Sequence, residues 1–454
     1  MKTIRKNEID MLHGSLSDKI LLFALPLAAS SILQQLFNSA DVAVVGHFVG
    51  SQALAAVGAN TPVIQLLINL FVGLSVGTNV LISNSLGRGD EAAASRGTHT
   101  SVVLSVLCGA ALLLVGVLFA GPILRLMATP DDVLDAAMRY LRVYMLGMPF
   151  IMLYNFENAI LRSKGDTRRP LYVLTASGVL NVLLNLFFVL VLHMDVVGVA
   201  AATALSNVFS AAVLFVLLRK ESGAFQVRWR ELRLDLSSLK AITTVGLPAG
   251  MQAFVFSVSN VVVQFALNGL GADAIAGTSA ALNFEFFAFY ILNAFNQTAV
   301  TFTSQNYGAG NYTRCRKIAL RCWALGVACV MAVSILELVF ARQCVAVFTA
   351  DAAVAALAIT RMHCVLPFEF MNSSTDILSG CVRGLGHSMA PAVVCTLGIC
   401  GVRILYIYTY FAMNPGYIRL MLVYPFSWAI TLIAAVIMYF RIRNRTLLRK
   451  EAAQ

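Results

Sequence analysis

One pattern of punctuation occurs twice along the chain at a nearly fixed offset, and the residues between the marks are mostly apolar. Leu25-Pro26 is matched by Leu247-Pro248, 222 positions later. At an offset of 221, GSQALA from Gly50 to Ala55 is echoed by GADAIA from Gly271 to Ala276, and SLGRG around Gly87 and Gly89 by NYGAG around Gly308 and Gly310. The same offset carries Arg162, Gly165 and Pro170 to Arg383, Gly386 and Pro391. The marks keep one order over about 145 residues, which chance does not produce, so the chain is a duplication. What was duplicated follows from composition. Charged residues are 12% of the 454 and hydrophobic ones 59%, against about 25% charged in an ordinary soluble domain.

Runs long enough to cross about 30 Å of hydrocarbon as helix occur twelve times: 19–44, 53–83, 98–120, 136–160, 171–192, 196–218, 240–268, 275–304, 318–341, 356–381, 391–412 and 419–440. Strand-like alternation is absent from them, which predicts an all-α polytopic bundle of twelve transmembrane helices rather than a barrel. Each offset contains six spans, an even number, so both copies enter the membrane from the same side. Parallel copies are related by a pseudo-two-fold axis along the membrane normal. The expected organisation is a first lobe over 1–218, a polar basic linker over 219–240 and a second lobe over 241–454, with a cleft between the lobes. Phe225 and Trp229 in the linker suit either the membrane interface or a solvated tether.

The basic residues set the orientation. With the N-terminus inside, 26 of the 33 Lys and Arg fall on the inner side, including Lys2, Arg5 and Lys6, five fall outside, and Arg361 and Arg403 lie within spans. The positive-inside rule therefore places both termini in the cytoplasm. Anionic headgroups and topology account for the net charge of +11, so nucleic acid is not an expected partner. The first span follows about 19 polar and basic residues and continues without a small-residue cleavage site, so it is retained. Cys108 stands alone in the first half and eight cysteines lie in the second without C-x-x-C spacing; they read as small apolar packers.

Pro26 and Pro248 sit at matching depths in the first span of each copy. A proline inside a helix frees a carbonyl and permits bending, and paired interruptions point to a moving, substrate-lining element; an incidental kink is the plainer alternative. A carboxylate in hydrocarbon costs at least about 2.5 kcal/mol, so each needs a reason. Asp41 lies some 22 residues along span 1, roughly 33 Å from the inner end at 1.5 Å per residue. Span 5 supplies Asn181 and Asn185, four apart and on one face, and span 6 supplies Thr203. These oxygens suit a proton or a desolvated Na+. The plainer readings are a helix-end acid and hydrogen bonds between helices.

The second copy has lost this chemistry. Asn260 answers to Asn38, but Val263 stands where an acid is expected, and Arg403 falls within about a residue of the position matching Asn181. Other acids occur there: Glu285 in span 8, and Glu369 and Asp376 in span 10. Glu369 or Asp376 is expected to partner Arg403 as a structural ion pair, or else to serve substrate recognition or proton coupling. Glu157, five residues before Arg162, reads as reaching for the inner surface, and Glu337 as an outer-end residue. Gln34, Asn38, Tyr154, Asn155, Glu285, Glu369 and Asp376 are the substrate-cavity candidates. Aromatic residues of spans 4, 7 and 8 beside an acid suit organic cations.

Together these residues resemble the multidrug and toxic-compound extrusion (MATE) family. The resemblance runs from Ser17 to about Arg441 and is carried by the two early LP pairs, NSADVAVVGHFVG from Asn38, LRSKGDTRRP from Leu161, GVAAATALSN from Gly198, SQNYGAG from Ser304 and VRGLGHSMAP from Val382. It implies two lobes, alternating access, and efflux of cationic or amphiphilic compounds in exchange for H+ or Na+, by a chain acting alone in a bacterial cytoplasmic membrane with no organic cofactor or metal. It is nearer the DNA-damage-inducible and archaeal branches, whose first-lobe cation site carries over onto Asp41, Asn181, Asn185 and Thr203. Asn185 departs from them, because those branches carry a second aspartate there. The second-lobe sodium site of the other bacterial branch is not expected, since Phe256 and Asn372 stand at its positions. A flippase for a lipid-linked precursor is the nearest alternative; it more often has extra helices and a basic cavity. An intramembrane enzyme is the remote one, since the six histidines are scattered singly without H-E-x-x-H.

Overall fold

The computed structural model describes residues 8–127, 129–349 and 351–451, so Lys2, Arg5 and Lys6 lie outside the described residues. The first copy of the repeat forms α1 (Leu16–Val44), α2 (Ser51–Gly87), α3 (Glu91–Leu126), α4 (Asp131–Leu146), α5 (Met148–Ser163), α6 (Arg168–Leu186) and α7 (Asp195–Arg219). The second forms α8 (Leu236–Asn268), α9 (Ala272–Gly308), α10 (Tyr312–Val339), α11 (Ala341–Ala346), α12 (Ala352–Val365), α13 (Glu369–Gly384), α14 (Met389–Cys395), α15 (Val402–Tyr406), α16 (Tyr417–Met421) and α17 (Val423–Arg443). No strand occurs among the described residues. The chain is an all-α polytopic membrane protein.

Among the described residues, eleven helical runs are long and apolar enough to cross a membrane. The twelfth crossing, expected as one helix over 136–160, is broken at Gly147 into α4 and α5, of 16 residues each. Pro149 stands in the first turn of α5, where its missing N–H interrupts no helical ladder. A side chain at Gly147 would press on the Ala204 backbone, 3.0 Å away, so the break also allows close packing against α7.

The glycines of the repeat have a common physical cause. Gly50 and Gly271, Gly89 and Gly310, and Gly165 and Gly386 all have φ between 73° and 119°, a region that L side chains rarely adopt. Each ends a membrane helix or begins the next, so the duplicated marks are the turns of the bundle. Gly165 is constrained twice, since a Cβ there would lie 2.5 Å from the Ile9 carbonyl oxygen.

The chain folds as two compact units. One takes residues up to Ile9 together with Ala29–Gly250, and the other Asp10–Ala28 together with Met251–Gln454. The chain thus changes unit inside α1, two residues past Pro26, and inside α8, two residues past Pro248. In the first unit, the early part of α8 meets α2 backbone to backbone. A Cβ on Gly73 would lie 2.2 Å from the Gly250 nitrogen, and one on Gly77 would lie 2.1 Å from the Ile242 oxygen. Small residues at such a crossing let dispersion contacts form where lipid offers no hydrophobic drive. In the second unit, Ile20, Phe23 and Ala24 of α1 are fully buried, with Phe23 edge-on to Phe302 at 5.4 Å.

The linker is docked rather than free. Ala224, Phe225 and Val227 are buried with Ile82, Leu214 and Leu218, and the Arg228 amide donates to His99 Nε2 at 3.1 Å. At the same end of the unit, Lys164 Nζ donates to Glu221 Oε2 at 2.6 Å and Arg169 Nη1 to Glu221 Oε1 at 2.5 Å. Burial would push the Glu221 carboxyl up, but these two cations outweigh it and hold the group below its usual range.

Candidate cation site

The first unit gathers its polar side chains where α1, α6 and α7 meet. Gly178 makes room: a Cβ there would lie 1.8 Å from the Phe37 ring. With Phe37 seated against α6, the next turn of α1 brings Asp41 opposite Asn181 and Asn185, three and seven residues beyond Gly178 on the same face. Asp41 Oδ1 accepts from Asn185 Nδ2 at 2.5 Å, and Oδ2 accepts from Thr203 Oγ1 at 3.3 Å. Asn185 Nδ2 also donates to Asn181 Oδ1 at 3.4 Å, and Asn181 Nδ2 to Thr203 Oγ1 at 3.5 Å. The four residues named from sequence therefore form one connected group. The Thr203 hydroxyl also lies 3.0 Å from the Val199 carbonyl, and its single proton serves one acceptor at a time.

Asn185 is fully buried, and its Oδ1 has no hydrogen-bond partner. Rotating this amide by half a turn would present that oxygen to the Asp41 side of the group, exchanging a donor for an acceptor. Tyr140 and Tyr144 of α4, stacked with centroids 6.0 Å apart, lie within reach of the Asp41 charge. Immediately beyond the site two of the three contributing helices widen into π-type turns, Val45–Val49 after α1 and Phe187–Val191 after α6, a feature frequent at functional sites.

The other candidates are dispersed. Gln34 and Asn38 are exposed on α1, four residues apart and leading to Asp41. Tyr154 is buried, and Asn155 Nδ2 donates to the Ile151 carbonyl at 2.8 Å. Glu157 does not reach the inner surface: it is fully buried and both carboxyl oxygens lack partners. Packing of α5 against α2, α3 and α7 closes the route outward.

In the second unit, Glu285 is bound in both oxygens by Arg361, through Nε at 2.7 Å and Nη2 at 2.8 Å. Arg361 was missed as its partner from sequence; the usable signal is that both are lone opposite charges inside spans. Glu369 accepts from Asn372 at 3.1 Å, and the backbone carbonyl of Asp376 accepts from Asn296 at 3.0 Å. Neither acid forms the expected ion pair with Arg403. That guanidinium donates instead to Asn260 Oδ1 at 3.1 Å and Ser427 Oγ at 3.3 Å. The cause is position: α15 directs Arg403 to α8 and α17, where amide, hydroxyl and aromatic groups stand. Glu337 is buried, with Oε2 unpartnered.

Duplicated helical halves, paired prolines and a half-buried acid among amides define a membrane protein of the transporter class. The MatE family model matches residues 26–187 and 248–409, two stretches offset by the repeat itself, and the chain belongs to that family. Similar proteins include the "Probable multidrug resistance protein YoeA" of Bacillus subtilis (strain 168), 29% identical with 84% of each chain covered. The "Probable multidrug resistance protein NorM" of Thermotoga maritima is 27% identical, covering 85% of this chain and 84% of its own. Among solved structures, the outward-facing conformation of a multidrug resistance MATE family transporter matches with a TM-score of 0.90 at 23% identity, over 99% of this chain and 100% of that one. These likenesses agree with a transporter rather than an enzyme.

Proposed function

We propose that this chain is a secondary active efflux antiporter that exports cationic or amphiphilic organic compounds in exchange for H+ or Na+. The observation that carries the reading is the connected group of Asp41, Asn181, Asn185 and Thr203 inside the first unit. Charged Asp41 holds the Asn185 amide as a donor. Adding a proton removes that charge, and adding Na+ replaces amide hydrogens with a cation that calls on oxygens, including the unpartnered Asn185 Oδ1. Either exchange changes what holds α1 to α6 and α7. Pro26 removes the helical donor to the Leu22 carbonyl, so α1 bends there at lower cost than elsewhere. The ion biases transport only by binding one conformation more tightly than another.

On this reading the protein acts as a single copy in a bacterial cytoplasmic membrane with both termini inside, as the inner excess of Lys and Arg supports. The comparison proteins named for multidrug resistance support the substrate class. The test is energised efflux of a fluorescent organic cation from proteoliposomes under separate H+ and Na+ gradients. Asp41→Asn is expected to lower coupled efflux at least tenfold. Asn185→Asp is expected to retain efflux and alter its ion dependence, because it adds a second titratable oxygen pair. Unimpaired efflux by Asp41→Asn would refute the coupling role.

A further inference from the structure

Among the described residues of the second unit, Arg361 and Arg403 are fully buried, and the fold treats them differently. Arg361 takes both oxygens of Glu285. Arg403, 1% exposed, has no carboxylate within ion-pair distance among the described residues. Its hydrogen bonds go to the neutral Asn260 and Ser427, and its Cζ lies 5.5 Å from the Phe256 ring and 4.6 Å from that of Tyr424. Tyr424 is shared, since Arg361 also sits 4.8 Å from it. A guanidinium stays charged under all these conditions, and neutral dipoles and ring faces only partly replace water. Glu369 lies close enough to act on Arg403 through space, but no carboxylate among the described residues touches the guanidinium, and its fork is bonded to neutral groups alone.

The surface beside it fits a ligand. Gln252, Phe256, Asn260, Gln264 and Asn268 follow one another at four-residue intervals along α8, forming one ridge. Asn260, Gln264 and Asn268 are exposed, and the latter two are bonded to each other at 2.8 Å. A row of amides is costly against hydrocarbon, so this ridge borders water. Asn260 is both exposed and bonded to Arg403, which connects the accessible ridge to the buried cation. In the first copy the matching positions hold Asn38, Asn181 and, one turn on, Asp41. The second copy therefore inverts the polarity of that arrangement.

We propose that Arg403 and Asn260 form an anion-recognising subsite that takes a carboxylate on the transported compound. The oxyanion displaces Asn260 Oδ1 from Arg403 Nη1 and accepts from the guanidinium fork, while the freed Asn260 amide donates to it. This deepens the efflux reading, and it rests on that reading only for the word "transported".

The test uses purified full-length protein in detergent and one xanthylium dye in two forms, free carboxylate and methyl ester, titrated by fluorescence anisotropy. The unaltered chain is expected to bind the carboxylate about tenfold more tightly than the ester. Arg403→Gln is expected to bring that ratio to about one. Arg403→Lys, which retains the charge and loses the fork, is expected to hold it near threefold. This second variant keeps the test decisive if the Gln variant does not fold. A ratio of one or below in the unaltered chain, or an unchanged preference in either Arg403 variant, overturns the proposal. Flux of the dyes into energised vesicles is read separately. Binding with the expected preference but no flux counts against efflux and leaves the subsite standing.

Discussion

The Glu285–Arg361 pair decides whether the core of the second unit holds together, because both groups are buried and each satisfies the other in two bonds. Breaking one side strands a charge, at a cost of about 3–5 kcal/mol, whereas replacing both with apolar side chains is often neutral. Glu285→Gln is therefore expected to lower the thermal midpoint strongly in detergent, and Glu285→Leu with Arg361→Met to recover most of the loss. An equal loss in single and double variants would show that the pair itself is needed. This contact was hard to read in the sequence: its partners stand 76 positions apart, no periodicity links them, and only their opposite charges inside spans point to each other. The first-unit group was legible because depth and helical spacing together bring Asn181 and Asn185 to one face, with Asp41 facing them. Glu157 was misjudged because closeness to Arg162 in sequence says nothing about which neighbours block its route to water.

Among the helices, the crossing of α2 with the early part of α8 leaves little room for change, because backbone meets backbone there. Gly73, Gly77, Gly246 and Gly250 touch backbone atoms of the facing helix, where even a Cβ would lie 2.1–2.5 Å from an atom. Gly73→Leu is expected to cost roughly 3 kcal/mol or more through overpacking, read as loss of monodisperse protein on size exclusion. Gly58→Leu is the control, since nothing lies within 4 Å of its Cβ position. The glycine turns were visible in the sequence as repeated marks. These helix-to-helix glycines were not, because their role depends on a partner helix rather than on local conformation. The break at Gly147 was hidden for a related reason: hydropathy is blind to a one-residue interruption inside a continuous apolar run.

For the whole molecule, the even number of crossings per copy requires that matched positions of the two copies emerge on the same side of the membrane. Leu192 and Met413 are separated by 221 positions, and both are exposed at the ends of crossings. Arg88 and Ala309 stand at the same offset, each closing a helix at a glycine turn. On the orientation proposed from the excess of Lys and Arg, the second pair faces the cytoplasm. In a background with the nine native cysteines replaced by serine, Leu192→Cys and Met413→Cys are expected to react with an impermeant maleimide in intact cells. Arg88→Cys and Ala309→Cys are expected to react only after permeabilisation. Labelling that splits either pair between the two sides would contradict the parallel repeat, and a wholesale exchange of the pairs would reverse only the orientation. The distinction matters for mechanism. If labelling bears out the parallel repeat, the replacement of the acid by Val263 at the matched position of the second copy is a change of chemistry and not of topology. The proposed ion exchange in the first unit and the proposed anion recognition in the second would then divide between two copies of one scaffold the tasks that a symmetric molecule would duplicate.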